Sequence, residues 1–124
     1  MRIITFAQTV APLLAGRKTC TRRVWAPRHA ALFHAGDTVQ AFDRSPRDGG
    51  RRVALIRLTA DPELTAELPD SDWDAEGFAY MEEQGLTLWG QTPRELWDSW
   101  RAAPRAWQVV RFHVLRRQRL AIDE

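Results

Sequence analysis

Apolar positions fall in short bursts separated by polar turns. Ile3, Ile4 and Phe6 make a β-branched and aromatic run, and with Arg2 and Thr5 they predict a first strand over 2–6, buried on both faces. Residues 9–15 read as a short helix in which Pro12 fits the first turn and Gly16 supplies a left-handed C-terminal cap. From Lys18 to Trp25 no apolar face emerges and Pro27 closes the run, which predicts an irregular strand lining a groove. Gly36-Asp37 marks a turn. Thr38 to Phe42 alternates as a half-buried strand, and a hairpin loop from Ser45 to Gly50 leads into a strand from Val53 to Thr59.

The period then becomes helical. Residues 70–84 predict a helix with Asp70, Ser71 or Asp72 as N-cap and Trp73, Phe78, Tyr80 and Met81 on its apolar side. A second helix over 92–100 opens with Thr92-Pro93-Arg94-Glu95, a capping-box spacing with proline at the first helical position. Trp107 to Leu115 predicts a closing strand, with Val110, Phe112 and Val114 on one face and Val109, Arg111 and His113 on the other. The expected class is α+β: about five strands broken by short helices, closing into a small, partly open β-barrel. Residues 1–115 form that domain, and 116–124 are a polar C-terminal tail expected to fray.

At 124 residues the chain suits one core and one site. No apolar run approaches the roughly eighteen residues that span a bilayer, so no membrane partner is expected. The start turns polar at Gln8-Thr9 after too few apolar residues for a secretion signal, so a cytoplasmic location is expected. Cys20 is the only cysteine and excludes an internal disulfide. It does not form a zinc spacing with His29, His34 and His113, and neither metal nor cofactor is expected.

Net charge is only +2, so any affinity for nucleic acid must come from local clustering. Arg17, Lys18, Arg22, Arg23 and Arg28 crowd one stretch. Arg51, Arg52 and Arg57 crowd another, and Arg111, Arg116, Arg117 and Arg119 a third. Of the eighteen basic residues only Lys18 is a lysine, the one type that can lose its proton when desolvated and act as a base. Among six tryptophans, Trp73, Trp97, Trp100 and Trp107 are explained as core anchors. Trp25 follows the basic stretch directly, where its face could cover a base.

Gly16-x-Lys18-Thr19-x-Thr21-x-Arg23, set between a short helix and a Gly-Asp turn with a β-hairpin, resembles the ASCH domain family, which is PUA-like in fold. The Ile-Thr-Phe strand, Gly36-Asp37-x-Val39, Leu58-Thr59-Ala60, the run from Asp72 to Phe78 and Val109-Val110-Arg111-Phe112 extend the likeness over nearly the whole chain. The resemblance implies a PUA-like β-barrel whose motif meets a cleft that takes a nucleoside or RNA. One single-domain group of similar size hydrolyses the amide of N(4)-acetylcytidine, and another member is a ribonuclease. By motif, Lys18 becomes the proton acceptor and Thr21 the nucleophile. Glu76 is the candidate proton donor, with Arg17, Thr19, Arg22, Arg23 and Trp25 around the substrate.

The chemistry is coherent by itself, since amide hydrolysis needs a nucleophile, a base and an acid for the leaving amine. Thr21 also fits a strand hydroxyl bonded to backbone, and Glu76 also fits one carboxylate on a solvated helix face. In a regular strand residues 18 and 21 point to opposite faces, so a common site requires a bend near Thr19. The rival functions are an RNA-binding module using Arg22, Arg23, Arg28 and the pair Arg51/Arg52, or a ribonuclease.

Overall fold

The computed structural model of the protein describes residues 1–117. Six strands, β1 (Ile3–Thr5), β2 (Cys20–Arg23), β3 (Thr38–Phe42), β4 (Arg52–Leu58), β5 (Glu63–Thr65) and β6 (Trp107–Arg117), join in one mixed sheet. The order is β1-β3-β4-β6-β2, with β5 paired to β6. The β1/β3 pair is parallel and the others are antiparallel.

The long strand β6 makes the sheet curl. Residues 107–111 pair with β5 and β2, and residues 112–117 with β4, whose register slips between Leu55 and Ile56. A strand shared in this way must bend and twist, and the product is a curled half-barrel. Five short helices decorate it: α1 (Val10–Leu14), α2 (Pro27–Ala30), α3 (Asp72–Ala75), α4 (Phe78–Glu83) and α5 (Pro93–Ala102).

Several expectations change in physical detail. The first strand is not buried on both faces: it is an edge strand in which Ile4 is buried and Ile3 exposed. Pro27 ends no element; it opens α2 at a helical first turn, where its missing N–H costs nothing. The helix expected over 70–84 is two helices, because Gly77 takes φ 93° and breaks the ladder. Val109 is buried beside Gln108 and Val110, since β6 is covered on both faces there. Arg116 and Arg117, expected in the tail, belong to β6 and pair with Leu55 and Ala54. Arg119 lies outside the described residues.

Two apolar clusters result. Ile4, Phe6, Leu13, Val39, Ile56, Val110 and Phe112 fill the half-barrel. Phe78, Met81, Leu88 and Trp97 form a second core among the helices, with Trp73 and Trp100 against it. The capping box on α5 forms as its spacing predicts: Thr92 Oγ1 accepts from the Glu95 N–H, and Glu95 Oε1 from the Thr92 N–H.

Gly77 locks the two layers together. A Cβ there would lie 2.6 Å from Pro12 Cβ and 2.8 Å from its Cγ, so α1 and the α3–α4 junction touch where only glycine fits. Gly77→Ala is expected to lose more than about 2 kcal/mol, from the left-handed backbone and the clash with Pro12 together. Urea unfolding measures it, and a loss below about 0.5 kcal/mol would show that the contact yields easily.

Candidate functional site

The site begins with the cap of α1. Gly16, at φ 75°, donates to the Leu13 carbonyl and Arg17 to that of Pro12, a Schellman arrangement that turns the chain sharply out of the helix. The Lys18 N–H also bonds Pro12 O (3.1 Å), and Thr19 links Ala75 O (2.7 Å) to the Phe112 N–H (2.9 Å). Lys18 therefore precedes β2 and is not bound to its alternation. This is the bend that a common site for residues 18 and 21 requires.

Strand β2 lies antiparallel to β6, with Cys20 opposite Arg111 and Thr21 opposite Val110. Beneath it four charged side chains are almost fully enclosed: Lys18 and Arg22 at 1% exposure, Glu76 and Asp72 at 3%. Lys18 Nζ donates to the Glu76 carbonyl (2.8 Å) and to its Oε1 (3.1 Å). Arg22 donates to Glu76 Oε2 (2.7 Å), Asp72 Oδ2 (2.6 Å) and the Glu67 carbonyl (3.2 Å). Arg111 grips Asp72 with two bonds of 3.0 Å. The Cys20 thiol donates to Glu76 Oε2 (3.3 Å).

Burial first, and then the Glu76 charge, push the Cys20 pKa far up, so the thiol stays protonated and structural. Burial also pushes the Asp72 carboxyl up, but the hydrogen bonds from Arg111 and Arg22 outweigh it and hold it below the usual carboxylate value. Three cations, Lys18, Arg22 and Arg111, face two carboxylates, leaving the cluster positive. Arg22 Nε is a buried nitrogen without a partner.

Above this network opens a cleft of about 280 Å³, at the seam of the two apolar cores. It is lined by Thr5, Phe6, Gln8, Lys18, Thr21, Arg22, Arg23 and Glu76, and by Phe78, Leu88, Trp89, Leu96 and Trp100 from the helical region. Arg23 donates from Nε to Thr21 Oγ1 (3.0 Å) and from its terminal nitrogen to the Thr5 carbonyl, with its guanidinium 5.2 Å from the Phe6 ring centroid. Burial lowers its pKa, yet a guanidinium stays charged at any working pH.

Of the residues singled out from sequence, Lys18, Thr21, Arg22, Arg23 and Glu76 meet at this cleft. Arg17 does not: it bridges Asp74 (3.1 Å) and Glu83 (2.9 Å) on the outside. Thr19 is exposed, and it is its main chain that ties the loop to α3 and β6. Trp25 stacks on Phe33 with ring centroids 4.6 Å apart and meets His29 edge-on; it packs against the half-barrel core and covers no part of the cleft. Arg22 is spent on buried ion pairs and adds nothing to a surface patch with Arg23, Arg28 and Arg51/Arg52. Gln8, Trp89 and the pairing of Asp72 with Arg111 were not foreseen. Arg111 carried a signal, because a charge inside the apolar run Val109-Val110-Arg111-Phe112 demands a partner.

Among the described residues, no group of three or more His, Cys, Asp or Glu side chains could hold a metal ion, and no helix is long and apolar enough to cross a membrane. Fold and site together define a small α+β domain: a curled mixed sheet with a positively charged cleft at its helical edge. No family model and no curated protein matches the chain. It is similar in fold to a solved structure, protein EF3133 from Enterococcus faecalis V583, assigned to DUF984. The TM-score is 0.52 at 20% identity, covering 87% of this chain and 70% of that one.

The buried network sets a pH dependence. The Asp72 pKa is depressed on folding, so its stabilisation is complete above its ordinary value of 3.8 and is lost as pH falls through the lower folded value. Asp72→Asn is expected to cost about 3–5 kcal/mol at pH 7 by leaving Arg22 and Arg111 uncompensated. In urea unfolding the gap between wild type and variant narrows as pH falls below 3.8. A gap independent of pH would assign the loss to packing.

Proposed function

We propose that this protein is an amidohydrolase of the ASCH type, PUA-like in fold, that removes the acyl group from an N(4)-acylated cytidine or a similar nucleoside. What supports this reading is that Lys18 from a loop, Thr21 from a strand and Glu76 from a helix end converge on one cleft. A solvated helix face, the ordinary alternative for Glu76, does not apply to a carboxylate that is 3% exposed.

Lys18 Nζ and Glu76 Oε1, 3.1 Å apart, can share one proton. In the reaction that proton rests on Glu76, which leaves a free amine on Lys18 to act as base and a carboxyl on Glu76 to act as acid. Thr21 Oγ1 then attacks the acyl carbon while its proton passes to Lys18. The C–N bond breaks as Glu76 protonates the leaving exocyclic amine. Water hydrolyses the acyl-threonine ester, restoring the Thr21 hydroxyl and releasing the carboxylic acid. Arg23 already donates to Thr21 Oγ1 and stabilises that oxygen as it loses its proton, and the positive surplus of the cluster favours the tetrahedral oxyanion.

Incubation with N(4)-acetylcytidine followed by chromatography is expected to show cytidine released by the wild type. Lys18→Arg, which keeps the charge but not the base, and Thr21→Ala each lose at least about a hundredfold. Absence of turnover by folded wild type would overturn the hydrolase. Steeply salt-dependent oligonucleotide binding would then point to an RNA-binding module.

A further inference from the structure

Leu88, Trp89, Gly90 and Gln91 close a two-residue hairpin, with the Leu88 N–H bonded to Gln91 O (2.8 Å) and the Gln91 N–H to Leu88 O (2.9 Å). Both central residues have positive φ, 47° at Trp89 and 80° at Gly90, the geometry of a type I′ turn. That turn favours Asn-Gly, whose first residue tolerates the left-handed backbone; a bulky tryptophan is strained there. Trp89 is the one non-glycine residue with positive φ among those described.

The strain is not offset by packing. Trp89 is 70% exposed, whereas Trp25, Trp73, Trp97, Trp100 and Trp107 are at least partly buried and pack against other rings. The hairpin is nonetheless fixed in place. Leu88 is buried in the helical core, and the Trp89 N–H donates to Gln8 Oε1 (3.0 Å), another residue lining the same cleft. Local strain is thus retained to hold an exposed indole at the cleft that Arg23, Thr21 and Lys18 also line.

We infer that Trp89 is the stacking wall of the binding site, and that the cleft selects a single planar heteroaromatic base. This rests on the cleft being the nucleoside site. A flat ring lying on the indole would direct its edge groups toward Arg23 and the Lys18–Glu76 pair, while Phe6 and Phe78 leave the interior apolar. Its volume of about 280 Å³ is at the small end of ligand cavities, suited to one nucleoside and not to a strand.

The decisive variant is Trp89→Asn, which puts the residue the turn favours in place of the one the site needs. Its melting temperature is expected to rise by a few degrees while its calorimetric affinity for N(4)-acetylcytidine falls about five- to a hundredfold. Trp89→Phe keeps a ring and is expected to remain within about threefold of wild type. Affinity in Trp89→Asn within twofold of wild type would overturn the inference. Because binding is read apart from turnover, the two claims separate. A wild type that binds without releasing cytidine, with binding weakened in Trp89→Asn, supports Trp89 and sinks the hydrolase. Turnover with unchanged KM in Trp89→Asn sinks Trp89 alone. A wild type that binds no N(4)-acetylcytidine sinks both.

Discussion

Lys18, Glu76, Arg22 and Asp72 form a chain of alternating charge with almost no contact with water, extended to Arg111 at the rim. An isolated charge so enclosed would cost several kcal/mol, and only the correct partner at hydrogen-bond distance offsets that cost. The network therefore permits one relative placement of its parts. Strand β2 must lie in the register that brings Cys20 opposite Arg111, and α3 must end with Glu76 pointing beneath the loop that carries Lys18. A slip of one residue would turn Arg22 away from both carboxylates.

The same constraint explains why the cleft lies where it does. One apolar cluster belongs to the sheet and the other to the helices, and between them runs a seam that aliphatic packing does not fill. The ionic chain occupies its floor and the Gly77–Pro12 contact clamps its side. The remaining space is bounded by Phe6 from one core and by Phe78, Leu96 and Trp100 from the other. Groups suited to chemistry are thus held by rigid elements, with the buried charges serving as both structural tie and reactive floor.

Much of this was legible along the chain. The period of the apolar residues located the half-buried strand over 38–42, and the capping box located α5, because both signals arise between near neighbours. Gly16 announced the turn that frees Lys18 from strand alternation, and a lone lysine among arginines marked the residue whose chemistry differs. Trp25 was misplaced because sequence adjacency to a motif says nothing about which face a ring packs against. Strand β5 escaped because three residues with little apolar content carry no periodic signal, and their pairing is conferred by β6.

The sequence by itself determined the local geometry: which residues cap, turn, alternate and break, since those preferences are set by backbone sterics and hydrogen bonds a few residues long. Only the tertiary structure decided that Glu76 is buried and not solvated, that Arg22 is spent on ion pairs, and that Trp89 and Arg23 line one cleft. These are matters of desolvation and of contacts between residues fifty or more positions apart, and no local rule carries them.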